Sequence, residues 1–187
     1  MMAKRSGRGN KPVIWIREDR GIRTAGRLCA AGLVELGFNP DHLIQINAPD
    51  TLAVLRAAAD IVKCGQVGAV VIEPWGKAAL LNLTASRRLS MAAAASGVLA
   101  LMLRVDAEPV PSAAQTRWQI AAAPSASLAA NAPGFAAFDM KLLRHRSGIS
   151  GFEARLEWNR DDRSFALLPG SSPAVFAVGT DQARKAA

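Results

Sequence analysis

The feature that most constrains the fold is an unbroken apolar run at residues 67–72, VGAVVI. A strand that is apolar on both faces is typical of a parallel sheet covered by helices on each side. The segment 24–36 holds two glycines, so it predicts only a short or irregular helix. Strand-like runs alternate with helix-like segments from the start of the sequence to about residue 105, at residues 12–16, 24–36, 42–46, 51–64, 67–72, 82–96 and 98–103. This alternation predicts an α/β layer with right-handed crossovers.

Capping residues mark the ends of the two clearest helices. Asp50 precedes the helix at 51–64, and Asn82 or Thr84 begins the next one, because these side chains accept hydrogen bonds from the first free backbone N–H groups. Gly65 and Gly97 follow the two helices, where a left-handed residue is expected.

The pattern changes beyond residue 104, where alternating apolar and polar residues replace helical spacing. These runs predict antiparallel strands, at residues 116–121, 138–144, 152–158 and 165–168. The predicted fold class is therefore α/β, with a mostly parallel sheet flanked by helices and antiparallel strands in the C-terminal third. We predict one domain over residues 12–168, a basic flexible arm at 1–11 and an irregular tail at 169–187.

Charge is concentrated at the beginning of the chain. The sequence has 23 basic and 15 acidic residues, a net charge of +8, and residues 1–27 hold eight basic against two acidic groups. Such an arm can contact phosphates, or it can be a solvated, disordered start. Salt-dependent DNA binding would separate these alternatives.

The sequence lacks the residue patterns that most kinds of catalysis need. A phosphate-binding loop of the form GxxxxGK[ST] is absent, and two histidines and two cysteines form no metal motif. Glu73 ends the 67–72 strand, where nucleotide-hydrolysing α/β proteins hold a magnesium-bound water, although an acid at a sheet rim is more often only solvated. We predict no catalytic residue, no cofactor and no metal. No apolar stretch approaches the ~20 residues of a membrane span, and the isolated cysteines indicate the reduced cytoplasm.

Basic side chains are the remaining candidates for binding. Lys141, Arg144 and Arg146 end a predicted strand at a turn, and Arg87 and Arg88 are adjacent on the helix at 82–96. Each group can contact DNA or a protein partner, or can belong to a mixed-charge, solvated surface.

Several segments together resemble the ImuA family, RecA-like proteins of bacterial DNA-damage-inducible mutagenesis cassettes that are also similar to the division inhibitor SulA. The resemblance rests on residues 12–16, 32–39, 43–46, 58–75, 83–103, 111–124 and 138–158, and includes the sequences AAADIVKCGQVGAVVIEPW and LLRHRSGISGFEARLEW. It implies a RecA-type core with Glu73 at the Walker B position and a late β-hairpin at 138–158. It also implies a strand, loop and helix ahead of Val13, for which only twelve residues are present.

The resemblance further implies a non-catalytic scaffold of SOS-induced translesion DNA synthesis, located in the cytoplasm at the nucleoid. Its expected partners are the cassette's Y-family-like subunit, the error-prone replicative-type polymerase and RecA, with weak DNA contact. A SulA-like inhibitor of the division GTPase and a degenerate RecA-like ATPase are the alternatives.

Overall fold

The computed structural model describes residues 11–105, 107–148 and 151–168. The predicted arm, apart from Lys11, and the predicted tail at 169–187 lie outside these residues. Contacts divide the chain into two compact units, which separate between residues 114 and 115. One domain over residues 12–168 stays a prediction.

The first unit is built around a parallel sheet. Its elements, in chain order, are β1 (Val13–Glu18), α1 (Asp19–Ala25), α2 (Ala30–Glu35), a 3-10 turn (Pro40–His42), β2 (Leu43–Ala48), α3 (Thr51–Ile61), β3 (Ala69–Glu73), α4 (Leu83–Ser96) and β4 (Leu99–Met102). The strand order is β2-β1-β3-β4, and every neighbouring pair is parallel. The predicted parallel α/β layer is therefore confirmed.

One face of this sheet forms the main core. Ile16 and Ile72 lie side by side in the β1–β3 register and pack in the same buried cluster as Val54 of α3 and Leu89 of α4. All five residues of β3 are buried, as expected for a central parallel strand. Burying each such aliphatic side chain stabilises the fold by about 1.5–3 kcal/mol.

Local capping explains where α3 and α4 begin. The Asp50 carboxylate accepts a hydrogen bond from the Ala53 N–H at 2.8 Å, and the Asn82 side chain accepts one from the Ala85 N–H at 2.9 Å. Gly97 is left-handed at φ 72°, as predicted. The prediction for Gly65 is wrong, because α3 ends at Ile61 and Val62 caps it in a right-handed conformation.

The expected short helix within 24–36 is α2 (Ala30–Glu35), and a second helix, α1 (Asp19–Ala25), which was not predicted, precedes it. α1 begins directly after β1 and ends at Ala25, and Gly26 then takes φ 82°. A residue with that backbone angle cannot continue a right-handed helix. α2 therefore forms separately.

The second unit is an antiparallel sheet. Its elements are β5 (Thr116–Ala123), a 3-10 turn (Ala129–Asn131), β6 (Ala137–His145), β7 (Glu153–Asn159) and β8 (Ser164–Leu167). The order is β5-β6-β7-β8, which confirms the four predicted strands and the late hairpin.

The two faces of this sheet differ in polarity. Apolar side chains face one another across the strands in register on one face, at Trp118–Leu142, Ile120–Met140, Phe138–Leu156, Met140–Ala154 and Trp158–Phe165. Successive residues of a strand point to opposite faces, so the other face carries the ion pairs Lys141–Glu153 and Asp139–Arg155.

Candidate functional site

The carboxyl ends of β1 and β3 bring Arg17 and Glu73 together. These residues are register partners in the parallel sheet, and both are buried, with 4% and 3% of their surface exposed. Arg17 donates from Nε to Glu73 Oε2 at 2.9 Å and from Nη2 to Oε1 at 3.0 Å. The planar guanidinium thus binds the carboxylate in a two-bond arrangement that suits both groups.

Trp15 completes the surroundings of this carboxylate. Its indole Nε1 donates to Glu73 Oε2 at 2.7 Å, so each oxygen of Glu73 accepts at least one hydrogen bond from the protein. Successive residues of a strand point to opposite faces, and Arg17 is the register partner of Glu73. Trp15, Arg17 and Glu73 therefore lie on one face, opposite the face that Ile16 and Ile72 present to α3 and α4.

Further bonds tie this edge to its loops. Arg17 Nη1 donates to the Gly26 carbonyl at 2.9 Å, which holds the end of α1. Oε2 of Glu18 accepts from the Thr51 hydroxyl at 2.8 Å and from the Trp75 N–H at 3.1 Å. The buried charged groups here are all hydrogen-bonded, and Arg17 and Glu73 also form an ion pair, as burial requires.

Arg104 lies two residues beyond β4 and contacts the loop after β3. Its Nη2 donates to the carbonyls of Gly76 and Lys77, at 2.8 and 3.3 Å. Burial lowers the pKa of this guanidinium from its ordinary value. These bonds connect the edge of the sheet to the end of α1 and to the loop after β3.

This geometry changes the interpretation of Glu73. A carboxylate that holds a magnesium-bound water needs an accepting oxygen directed at that water. Arg17 supplies a positive charge beside the acid, and Trp15 a second donor. The site residues present therefore suit a structural ion pair better than a metal or nucleotide centre. Among the described residues, no group of three or more His, Cys, Asp or Glu side chains is arranged to hold a metal ion.

The predicted basic residues occupy separate places. Arg87 and Arg88 are exposed on α4, next to the buried Leu89. Lys141 is exposed on β6, where its Nζ forms an ion pair with Glu153 at 2.5 Å. Arg144 is exposed near the end of β6, and Arg146 in the turn that follows.

Sequence reasoning missed one arginine at this end of the antiparallel sheet. Arg117, near the start of β5, is the register partner of Arg144, and the Arg146 N–H donates to the Gln115 carbonyl at 3.0 Å. Three basic side chains therefore start from neighbouring backbone positions. Arg117 could have been found only from the pairing of the 116–121 strand with the 138–144 strand. The sequence alone does not fix the register of that pair.

Sequence reasoning also missed the partners of Glu73. Arg17 follows the first apolar strand as Glu73 ends the third, and a parallel arrangement predicts that such residues meet. No pattern in the sequence indicated that these two strands are neighbours.

The sheet arrangement defines the class of the fold, which is RecA-like α/β. The solved structure of the RadB recombinase aligns with 83% of this chain and 78% of its own, at a TM-score of 0.51 and 16% identity. SulA from Pseudomonas aeruginosa aligns with 50% of this chain and 71% of its own, at a TM-score of only 0.38 and 21% identity. No family model matches the sequence.

At the level of sequence, the chain is similar to the ImuA proteins of two Caulobacter vibrioides strains. Each is 36% identical over 108 residues, which cover 52% of this chain and 43% of the relative. The predicted resemblance to ImuA is thereby confirmed. The chain matches less than half the length of these relatives. Within the described residues, every helix is too short or too polar to cross a membrane.

Proposed function

We propose that this chain is a non-catalytic accessory protein of SOS-induced translesion DNA synthesis, which acts by binding other proteins. The observation that carries the proposal is the 36% identity to ImuA over 108 residues. In this role the chain is a scaffold at the nucleoid. Its partners are the cassette's Y-family-like subunit, the error-prone replicative-type polymerase and RecA.

The surroundings of Glu73 support a role without ATP turnover. Hydrolysis of a nucleotide needs phosphate-binding N–H groups, a metal and a carboxylate that orients it. Here Arg17 and Trp15 donate to both oxygens of that carboxylate, and the pair connects two strands and a loop. In the proposed role these bonds stabilise the parallel sheet, and the sheet supports the surface that binds other proteins.

Exposed arginines on α4 are the first proposed contact surface for protein. Arg87 and Arg88 stand side by side on a helix whose buried side is anchored by Leu89. Arginine suits protein interfaces because its planar guanidinium binds a carboxylate through two hydrogen bonds and stacks on aromatic rings.

Affinity capture from damage-treated cells tests this surface. The tagged wild-type chain is expected to recover the polymerase subunits or RecA, and Arg87→Ala/Arg88→Ala is expected to lose them. The control is Arg56→Ala/Lys63→Ala, because both residues are exposed cations at or just after the neighbouring helix α3. Equal recovery by both double variants would contradict an α4 interface, and recovery of the division GTPase alone would contradict the translesion role.

The basic end of the antiparallel sheet is the proposed place of weak DNA contact. The set consists of Lys141 and Arg144 on β6 and Arg146 in the turn that follows. For Arg144→Ala/Arg146→Ala we expect weaker binding to a DNA duplex and a salt slope reduced by about 2, since each phosphate contact contributes about one unit. Arg160→Ala/Arg163→Ala removes the same charge elsewhere in the unit. An identical slope in the two variants would contradict this assignment.

A further inference from the structure

The antiparallel sheet has one long edge strand of unusual composition. β5 spans eight residues, and residues 118–123 carry no charge and no proline. Within the described part of the chain, only β6 pairs with it. Proteins normally protect such edges with charges, prolines or short strands, because the free N–H and C=O groups can pair with another chain.

The opposite edge of the same sheet shows that protection. β8 has four residues and directly follows Asp161, Asp162 and Arg163 in the sequence. Of the two edges of this sheet, the β5 edge alone has no such protection among the described residues, which indicates that β5 is available for pairing.

Apolar side chains accompany this free edge. Ile120 is 60% exposed and Trp118 is 38% exposed, and both lie on the apolar face of the sheet. The Trp118 ring meets Phe152 edge to face at 5.9 Å, which fixes its position. The edge therefore offers backbone hydrogen-bonding groups beside two large apolar side chains.

We propose that β5 pairs antiparallel with β5 of a second copy of this chain, about a two-fold axis at Gln119. In this register Trp118 faces Ile120 of the partner subunit, and Gln119 faces Gln119 of the partner subunit. Facing residues of an antiparallel pair share a face, so the apolar faces of the two sheets become continuous. A two-fold axis lets one surface complement itself.

The facing side chains are complementary, apolar at Trp118 and Ile120 and amide to amide at Gln119, and the charges in this register do not oppose a second copy. The chain is basic overall, at +8, so two copies repel wherever their cations meet. Here the two Arg117 residues lie at opposite ends of the pairing, each facing Ala121 of the partner subunit, roughly 13 Å apart along the strands. That separation exceeds the ~8 Å Debye length at physiological salt. The residues between the two arginines, 118–120 of each copy, carry no charge.

Sedimentation equilibrium of the full chain tests the proposal. The mass is expected to rise with concentration from 19.7 kDa towards twice that value. Gln119→Lys and Gln119→Glu each place like charges face to face, so each should weaken the dimer about two- to fivefold. An equimolar mixture of the two variants should restore association, because opposite charges then face each other. Ala166→Lys on β8 is the matched control and should dimerise like the wild type.

Several results would overturn the proposal. A chain that stays at its monomer mass up to millimolar concentration has no such interface. Dimers that both Gln119 variants retain, or a mixture that does not recover, place the contact elsewhere, and pairing seen only with a different protein excludes a second copy as the occupant. Circular dichroism checks folding. Ile120→Thr, which keeps β-branching but loses apolar contact, is expected to weaken the dimer by itself.

Discussion

Two arginine–carboxylate pairs with the same bonding pattern lie in different surroundings. Arg17 and Glu73 join parallel strands, with side chains 5% and 4% exposed. Arg155 and Asp139 join antiparallel strands through bonds of 2.7 and 2.9 Å, with side chains 43% and 47% exposed. The two pairs have the same hydrogen-bond geometry, but water reaches the Arg155–Asp139 pair and hardly reaches the Arg17–Glu73 pair.

Burial decides what each pair contributes. Water screens the exposed pair and solvates either partner when the other is removed. The buried pair has no such substitute, so loss of one partner leaves an uncompensated charge in a poorly solvated site. The first pair is therefore part of the fold of the parallel sheet, while the second adjusts the surface of the antiparallel sheet.

The largest expected effect comes from removing the buried acid. Glu73→Gln leaves Arg17 buried without its counter-ion, and we expect the free energy of unfolding to fall by about 3–5 kcal/mol. Denaturant unfolding followed by tryptophan fluorescence measures the loss. Glu153→Gln, which breaks the exposed pair with Lys141, is the matched control and should unfold almost like the wild type. Similar losses in the two variants would break the comparison.

A smaller effect is expected when the arginine is shortened. Arg17→Lys keeps the charge but loses the second bond to Glu73 and the bond to the Gly26 carbonyl, so we expect a loss of about 1–3 kcal/mol. Arg155→Lys makes the same change at the exposed pair and should alter the unfolding midpoint by less than the error of measurement. An Arg17→Lys variant as stable as the wild type would show that the two-bond geometry contributes nothing.

The smallest effect concerns pH. The hydrogen bond from Arg155, with its charge, lowers the pKa of Asp139 below its ordinary value. The pair therefore stabilises the fold at pH above the ordinary value of an aspartate, and that contribution is lost as pH falls through the lowered pKa. NMR titration of the Asp139 carboxyl in wild type and Arg155→Gln measures the shift. The variant's pKa should return towards the ordinary value, and an unchanged pKa would contradict the assigned cause.

Much of the fold was predictable because its local signals agree. The apolar run that became β3, the caps Asp50 and Asn82, and the left-handed Gly97 each indicated the element that formed. α1 and the break at Gly26 were not foreseen, since a single glycine can either weaken a helix or end it. The partner of Glu73 was also not foreseen, because strand order depends on packing between distant segments.

The most direct test of this account follows the indole N–H of Trp15, which donates to Glu73. The Trp15→Phe variant identifies this signal in a ¹H–¹⁵N spectrum as the indole peak that it lacks, and magnesium with ATP is then added to the wild-type chain. We expect the signal to stay in place at saturating nucleotide, because Glu73 belongs to the ion pair with Arg17. A dose-dependent shift in the wild type that Glu73→Gln abolishes would contradict the account and identify Glu73 as part of a nucleotide site.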